Sequence, residues 1–390
     1  MAGFRAVVVV AIRPAPRRRA RLLRLHRAIL LCCGFSLALR WGCLTEAFAT
    51  TRPEQAIAAL RHLDYRDSQP GEARIRVKTS SLLLLSPIGE QWSTQAIASV
   101  DAISGASPYY QASDLRQMKD FRRALDLSLT HYQDNDAFTL GSSYSGEVDY
   151  LSRSMYGLWS RSTPSKNLSG SVGFSTTSDQ INPVNRVVRD ARRHTGQVLI
   201  GVTAVLSPQD LVQINVSRNQ AQGYLSDPYK FADERPDSRT ATALLVRWHH
   251  HVKATRASLR LSHRQLHNDW GIRSATTALD YVQPLSEGLS LTPLWRWYQQ
   301  SAANFYVPPS QSQYPFGPRL GTLYSEDQRL ARFGALTLGL QVTYRWGADW
   351  TTDLKFEHYE QRATWHLNGG SEGFVPFRAR LLQWGLAKRF

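Results

Sequence analysis

The feature that most constrains this chain is a period of two in its hydrophobicity, which runs from about residue 54 to the C-terminus. Apolar residues alternate with polar ones in segments such as 125–129, 212–216, 336–344 and 350–357. Successive side chains of a β-strand point to opposite faces, so the alternation predicts strands with one apolar and one polar face. We therefore predict an all-β fold.

Two kinds of connection alternate along the chain between these strands. The short kind has the composition of tight turns and lies at residues 87–90, 133–136, 164–167, 207–210, 252–253, 285–288 and 347–349. The other kind is mostly longer and lies near residues 67–71, 105–116, 150, 181–191, 225–237, 267–270, 304–326 and 366–376. With a first strand near residues 55–66, the segments between these connections number about sixteen.

This pattern predicts a transmembrane antiparallel up-and-down β-barrel of about sixteen strands, with short periplasmic turns and longer extracellular loops. Aromatic residues flank both kinds of connection, as the two interfaces of a membrane favour. Those beside the short turns are Trp92, Trp159, Trp248, Tyr281, Trp346 and Trp350, and those beside the longer loops are Tyr109, Tyr110, Tyr224, Trp270, Phe305, Tyr306 and Trp365. The alternative is a soluble β-sandwich or propeller, whose strands average about 5–6 residues and are shorter than these segments.

The first 49 residues have the order of a secretory signal peptide. Arginines between residues 17 and 27 precede an apolar stretch at 28–39, and Ala47-Phe48-Ala49 then supplies the small residues of a cleavage site. We predict cleavage between Ala49 and Thr50, with residues 1–20 as a surplus N-terminal extension and residues 50–390 as the barrel. The apolar stretch is shorter than the roughly 20 residues of a membrane-spanning helix, which excludes a helical membrane protein.

The cysteines and the net charge both depend on that segment. All three cysteines precede the predicted cleavage site, so the mature chain would have no disulfide and no cysteine metal site. Residues 1–49 contain nine arginines and one acidic residue, which accounts for half of the formal net charge of +16. The basic composition therefore gives little support to a nucleic-acid partner, and we expect none.

The last strand carries an aromatic C-terminal pattern. Leu382, Trp384, Leu386 and Phe390 share one face, and Lys388 is the exception on it. A lysine close to the interface can extend its ammonium group into water. A strand of this kind that ends in Phe resembles the signal read by the barrel assembly machinery. We therefore expect that machinery and outer-membrane lipid as partners, in the cell outer membrane of a Gram-negative bacterium.

Six segments beside the longer connections form a recognisable set. They are residues 101–110 (DAISGASPYY), 179–185 (DQINPVN), 223–230 (GYLSDPYK), 270–273 (WGIR), 300–306 (QSAANFY) and 376–380 (PFRAR). Together they resemble an uncharacterised family of bacterial envelope proteins, domain of unknown function 3570. The resemblance covers essentially the whole mature chain and implies an outer-membrane barrel without an assigned activity. Asn304 departs from the Asp expected in that pattern.

The predicted inward face carries charged residues. They are Arg260 and Arg264 on one strand, Arg296 on another, Asp353, Lys355 and Glu357 on a third, and also Asp126 and Asp280. A sixteen-strand barrel encloses a water-filled lumen unless loops fill it, and charged lumen residues set ion preference. This favours a porin-like channel for small solutes, with a preference for anions if the lumen is open. The alternative is a lattice of salt bridges that rigidifies a plugged barrel.

Two further functions stay open. A non-conducting scaffold or receptor would use its extracellular loops, and residues 305–318 (FYVPPSQSQYPFGP) are aromatic and proline-rich enough to fold inward as a plug. A barrel enzyme would need a serine partner for His263 or His358, and no Gly-x-Ser-x-Gly motif occurs. We therefore expect no enzyme, no catalytic residues, no metal and no cofactor. A homo-oligomer is expected only by analogy with porins of similar strand count.

Overall fold

Sixteen antiparallel strands form one closed barrel in the computed structural model, which describes residues 51–105, 118–314 and 316–390. Each strand pairs with its neighbours in sequence, and β16 pairs with β1, so the sheet has no free edge. The strands are β1 Ile57–Gln69, β2 Glu72–Ile88, β3 Trp92–Gly105, β4 Met118–Gln133, β5 Asp136–Gly146, β6 Tyr150–Ser162, β7 Leu168–Ile181, β8 Ala191–Val205, β9 Asp210–Gly223, β10 Ser238–Val252, β11 Ala257–Asn268, β12 Arg273–Pro284, β13 Leu289–Gln300, β14 Phe333–Trp346, β15 Trp350–Arg362 and β16 Phe377–Arg389. Within the described residues, three 3₁₀ helices lie in loops at Pro309–Gln311, Gln328–Leu330 and Ala363–Trp365.

The predicted strand count and the alternation of connections are confirmed. The short connections lie at one end of the barrel together with the start of β1 and the end of β16. We call this the turn end and the opposite end the loop end. The predicted signal peptide, the extension 1–20, the cleavage site between Ala49 and Thr50 and the cysteines lie outside the described residues, as does most of the loop predicted at 105–116. No helix within the described residues is long and apolar enough to cross a membrane.

The barrel buries polar side chains and exposes apolar ones. In β7 every odd residue from 169 to 181 is buried and every even residue is exposed. The buried residues include Ser169, Ser171 and Thr177, whereas Val172 and Phe174 are exposed. This distribution is the reverse of that in a water-soluble β-protein and is typical of a barrel whose outer surface contacts lipid.

Aromatic residues form the predicted belt at the turn end. Trp92, Trp159, Trp248, Tyr281, Trp346 and Trp350 all lie at outward positions beside the short turns. At the loop end the prediction is wrong for Trp270 and Phe305, which are buried, and for the partly buried Tyr306. These rings pack inside the barrel mouth because the loops that carry them fold inward.

The C-terminal strand has its predicted outward face. Leu382, Trp384 and Phe390 are exposed there, and Leu386 shares the face. The ammonium group of Lys388 lies 5.2 Å from the Trp350 ring centre and 4.6 Å from that of Phe390. A cation over an aromatic face is favourable, so this interaction accommodates the lysine on the apolar face. The proposed recognition of this strand by assembly machinery stays a prediction.

Candidate lumen site and loop lid

All six predicted pore-lining residues face the barrel interior. Arg260 lies opposite Asp280 in the β11–β12 register, and Arg296 lies opposite Ala278 in the next pair. Arg264 shares the inward face of β11 with Arg260, four residues along the strand. Asp353, Lys355 and Glu357 alternate with outward apolar residues on β15. The structure thus brings these side chains together on the adjoining strands β11–β15.

The charged residues of β15 are packed rather than solvated. Lys355 and Glu357 each expose only 2% of their surface, and Lys355 Nζ lies 2.6 Å from Glu357 Oε1. Asp353 exposes 4%. A lysine on the wall of a wide water-filled lumen would be far more exposed. On this side of the barrel the structure therefore matches the alternative prediction of a salt-bridge lattice.

Arg61 belongs to the same lattice and was not singled out from the sequence. It is buried on β1, and its Nη2 atom lies 4.0 Å from Asp353 Oδ1. Gly385 on β16 lies between these two residues in the register. A Cβ atom on Gly385 would lie only 2.4 Å from Asp353 Oδ1, so the glycine leaves room for the carboxylate. The signal for Arg61 was its parity with Leu63 and Tyr65, which belong to an inward stripe on β1.

The wall formed by β10–β13 has an excess of positive charge. Five arginines face inward on these strands, namely Arg239, Arg247, Arg260, Arg264 and Arg296. Within the same described strands, Asp280 is the acidic residue that faces inward. Arg260 is buried, and Arg247 Nη1 donates to Gln213 Oε1 at 3.0 Å. Arg264 and Arg296 remain partly exposed. The lumen is therefore ion-paired on one side and arginine-rich on the other.

The histidine triple near the turn end divides between the two faces of β10. His249 and His251 lie at inward positions, whereas His250 is outward, with its Nδ1 atom 2.8 Å from Asp210 Oδ1. Within the described residues, no group of three or more His, Cys, Asp and Glu side chains is arranged to hold a metal ion.

An apolar cluster lies inside the barrel at the loop end. It joins inward side chains of β1–β3 and β14–β16 to Ala331 and Phe374, which come from the loops. The strand residues of this cluster are Leu63, Tyr65, Ile75, Val77, Ile103, Phe333, Ala335, Tyr359, Ala379 and Leu381. Inward apolar residues at this level would be costly in a wide aqueous mouth, and the loops cover them.

The long loop between β13 and β14 is attached to the inner wall. Gln300 on β13 donates from Nε2 to the carbonyl oxygens of Arg329 at 3.0 Å and Ala331 at 2.7 Å. Phe305 and Leu330 of the loop pack with Trp270 in a second buried cluster. These contacts hold both ends of the loop against the mouth of the barrel.

The β9–β10 loop joins this assembly through a short backbone ladder. Glu234 and Tyr324 form an antiparallel bridge in which each amide donates to the other carbonyl at 2.8 Å. Because the two loops are linked and lie over the mouth together, we call residues 224–237, 301–314 and 316–332 the lid.

A buried carboxylate at Asp327 holds the two lid loops together. Arg235 Nη2 lies 2.9 Å from Asp327 Oδ2, and Arg329 bonds both Asp327 and Asp227. Burial by itself would raise the pKa of Asp327, but Arg329, Lys230 and Arg235 together lower it far below its ordinary value. Burial also lowers the pKa of the neighbouring Lys230. The lid contact is therefore ionic, unlike the apolar packing beneath it.

The prediction that residues 305–318 fold inward as a plug is only partly correct. Phe305 lies inside the mouth, but Tyr314 and Phe316 are exposed, the latter by 95%. Phe231 of the β9–β10 loop packs edge-on against Tyr314. The loop segments that pack inside the mouth are instead residues 303–307 and 324–332, and residues 309–314 and 316–322 form an exposed tip.

A model of one protein family matches residues 114–378. The family is described as "Protein of unknown function (DUF3570)". The chain belongs to this family. The resemblance inferred from the loop-side segments is thereby confirmed. The DUF3570 match includes the arginine-rich wall and the whole lid, whereas β1–β3 precede it.

Several solved structures are similar to this DUF3570 protein. A bacterial polysaccharide outer membrane secretin has 9% identity, covers 85% of this chain and 98% of its own, and gives a TM-score of 0.50. The siderophore receptor PirA from Pseudomonas aeruginosa has 11% identity, with 80% of this chain and 56% of its own covered and a TM-score of 0.43. OccAB4 from Acinetobacter baumannii has 10% identity, with 87% and 100% covered and a TM-score of 0.42.

The likeness to the secretin concerns the fold alone, because the identity is low. The chain spans about half the length of the siderophore receptors that it matches. No curated protein matches the chain. The protein is a sixteen-strand barrel of the outer-membrane type.

Proposed function

We propose that this protein is a porin-like channel for small solutes in the outer membrane, selective for anions and covered at its loop end by the lid. The arginine-rich wall of β10–β13 is the observation that carries the proposal. Arg264 and Arg296 are partly exposed inside the barrel. Asp280 is the acidic residue that faces inward on the described strands of that wall. Positive charge on a narrow lumen favours anions.

The outer-membrane location is part of the same proposal. The apolar outer surface, the aromatic belt at the turn end and the C-terminal face ending in Phe390 support it. With the loop end outside the cell, the lid covers the extracellular mouth. The proposal includes lipid and the barrel assembly machinery as partners, allows a homo-oligomer, and involves no catalysis, cofactor or nucleic acid.

Cell fractionation followed by single-channel recording tests both parts. The protein is extracted from the outer-membrane fraction and inserted into a planar bilayer under a salt gradient. We expect discrete conductance steps and a reversal potential on the anion side. Substituting Arg264→Gln together with Arg296→Gln should move the reversal potential toward cation preference.

The matched control removes two arginines from the outer face. Arg153 and Arg218 are outward, and neither faces a charged residue in the neighbouring strands. The double change Arg153→Gln with Arg218→Gln should leave the reversal potential unchanged. Cation preference of the unaltered protein would contradict the role of the arginine wall. A folded barrel that gives no steps even after its lid is loosened would contradict the channel.

A second candidate function is a receptor or scaffold that uses the outward loop tip. Phe316 and Leu320 expose nearly their whole side chains at this tip, and large exposed apolar groups are typical of interaction sites. Deleting residues 309–318 tests this candidate. An unchanged conductance together with a lost surface interaction would favour the receptor, whereas a large rise in conductance would favour a channel obstructed by its own loop.

A further inference from the structure

A row of basic side chains crosses four neighbouring strands on the outer face near the loop end. His358 lies opposite Arg380, Arg380 opposite Arg66, and Arg66 opposite Arg76 in the strand registers. The residues beside them in sequence are buried inside the barrel, so this row points outward. Like charges directly opposite each other in a sheet are destabilising, so the row needs a source of compensation.

Two acidic residues supply part of that compensation. Asp64 bonds Arg66 at 3.1 Å and also bonds Arg76. Glu360 lies 2.6 Å from Arg362 and 2.9 Å from Arg378. These contacts form two separate groups of arginines, one on β1–β2 and the other on β15–β16.

The compensation is incomplete. Among the described residues neither Arg380 nor Lys78 has an ion-pair partner. Six cationic side chains therefore surround two carboxylates, which leaves an excess of four positive charges with His358 neutral. The carboxylates are more covered than the cations, since the Asp64 side chain exposes 21% of its surface and that of Arg66 exposes 64%. The excess charge is thus available at the surface.

Other outward arginines near the loop end are arranged differently. Arg123 faces Val100 and Gly146, and Arg153 faces Tyr144 and Ser178. Neither has a charged cross-strand neighbour. The cluster on β15–β16–β1–β2 is therefore a local feature and not part of a uniform basic rim.

An apolar surface lies directly below the cluster, toward the turn end. Leu82 on β2, Leu382 on β16 and Phe356 on β15 are exposed there, one or two outward positions from the basic residues. Outward positions of one strand are about 7 Å apart. A ligand that meets both surfaces must be anionic at one end and apolar at the other.

We propose that the outer face of β15–β16–β1–β2 is a binding site for a lipid whose headgroup carries more than one phosphate. One phosphate binds the arginine group on β1–β2 and another binds the group on β15–β16, while Arg380 and Lys78 supply the remaining positive charge. The acyl chains lie on Leu82, Leu382 and Phe356. Arginine binds phosphate through paired hydrogen bonds, and clusters of basic residues at a membrane surface bind anionic lipid. The row spans about 14 Å across three strand spacings, which is suited to a sugar-based headgroup rather than a single free phosphate.

This inference rests on the proposed outer-membrane location, with the loop end in the outer leaflet, and not on conduction. The position of the basic cluster near the loop end supports the inference, because arginines on the lipid face of a barrel are tolerated near the membrane interface and are unfavourable at the midplane. The adjoining apolar belt favours a lipid over an acidic segment of a partner protein, since it provides a surface for acyl chains.

Native mass spectrometry of the purified protein in detergent tests the site. The probes are diphosphorylated lipid A, phosphatidylethanolamine and inorganic phosphate, each at the same concentration. The variant Lys78→Gln with Arg380→Gln removes two cations and leaves every ion pair of Asp64 and Glu360 in place. We expect retention of lipid A by the unaltered protein and about thirtyfold weaker binding by this variant.

The double variant Arg153→Gln with Arg218→Gln is the matched control and should bind lipid A as the unaltered protein does. Equal loss in both variants, or equal retention of lipid A and phosphatidylethanolamine, would overturn the proposal. Retention of inorganic phosphate equal to that of lipid A, or of an acidic protein in place of lipid, would also overturn it. Conductance of Lys78→Gln with Arg380→Gln should be unchanged, so loss of lipid binding and failure of the channel proposal remain separate results.

Discussion

At the scale of single residues, the interior depends on small side chains placed beside large charged ones. Gly385 permits the approach of Arg61 to Asp353 because its hydrogen leaves the space that a Cβ would take. We expect Gly385→Ala to destabilise the barrel by about 1–3 kcal/mol, the usual cost of overpacking a filled interior. Urea unfolding of the protein in lipid vesicles measures this change.

Gly170 offers a matched control for that substitution. It lies at an outward position of β7, and a Cβ there would meet no atom within 4 Å. Gly170→Ala should therefore leave the unfolding midpoint nearly unchanged or raise it slightly. Equal effects of the two substitutions would contradict the packing argument and point instead to a general property of glycine in strands.

The lid depends at the same scale on the charge of Asp327. The pKa of Asp327 in the folded protein lies below its ordinary value of 3.8. Its stabilising contribution is therefore present above that value and is lost only as the pH falls toward the lowered pKa. The lid of the unaltered protein should stay closed between pH 8 and about pH 5, and Asp327→Asn should raise single-channel conductance throughout that range.

Glu372→Gln is the control for Asp327→Asn, because Glu372 is an exposed acid on the loop between β15 and β16. It removes the same charge from the loop end and should not alter conductance. A lid that opened in the unaltered protein between pH 8 and about pH 5 would show that a group other than Asp327 controls it.

At the scale of elements, the strands could be predicted and the loops could not. Every strand repeats the period of two, and each short turn has a recognisable composition, so sixteen strands and their inward faces followed from the sequence. The mouth depends on contacts between residues far apart in the chain, such as Gln300 with Ala331 and Phe305 with Trp270. Local patterns carry no signal for such contacts, which is why Trp270 was assigned to an outer belt.

The charged residues of the lumen were also predictable only in part. Parity alone identified the inward charges of β11, β13 and β15, but it could not determine how far they would be buried. Burial of Lys355 depends on its contact with Glu357 and on the side chains that fill the lumen around it. Arg61 was missed because its partner Asp353 lies almost three hundred residues away in sequence and becomes a neighbour only when β16 closes on β1.

If the lid acts as a gate, joining its two loops covalently should keep the channel closed. Glu234 and Tyr324 form a hydrogen-bonded antiparallel pair, whose Cα atoms are about 5.5 Å apart in such pairs, within reach of a disulfide. Residues 51–390 contain no cysteine, so Glu234→Cys with Tyr324→Cys gives a single engineered bond. A disulfide contributes about 3 kcal/mol, which would lower the open population about a hundredfold.

Recording before and after addition of a reductant measures this effect. We expect few openings of the oxidised double variant and recovery after reduction. Glu234→Cys alone should respond to neither oxidant nor reductant. Equal conductance of the oxidised and reduced double variant would mean that solutes pass without movement of the lid.

At the scale of the whole molecule, closure of the barrel joins the last strand to the first. The twelve residue pairs between β1 and β16 leave no unpaired strand edge. The backbone amide of Phe390 adds a bond to the carbonyl oxygen of Ala56 at 3.0 Å. The Phe390 side chain is 65% exposed, so it contributes little packing to the finished barrel. The Phe390 side chain is therefore expected to matter for assembly of the barrel more than for the stability of the folded barrel.

We therefore expect Phe390→Ala to reduce the amount of folded protein in the outer membrane severalfold, while the purified folded barrel unfolds at nearly the same urea concentration. Phe138→Ala is the matched control, because Phe138 is also an exposed outward aromatic residue beside a short turn. It should affect neither quantity appreciably. Equal losses of folded protein from Phe390→Ala and Phe138→Ala would indicate a general need for aromatic rings at the interface. A lower unfolding midpoint for Phe390→Ala alone would assign Phe390 to the stability of the closed barrel and not to its recognition during assembly.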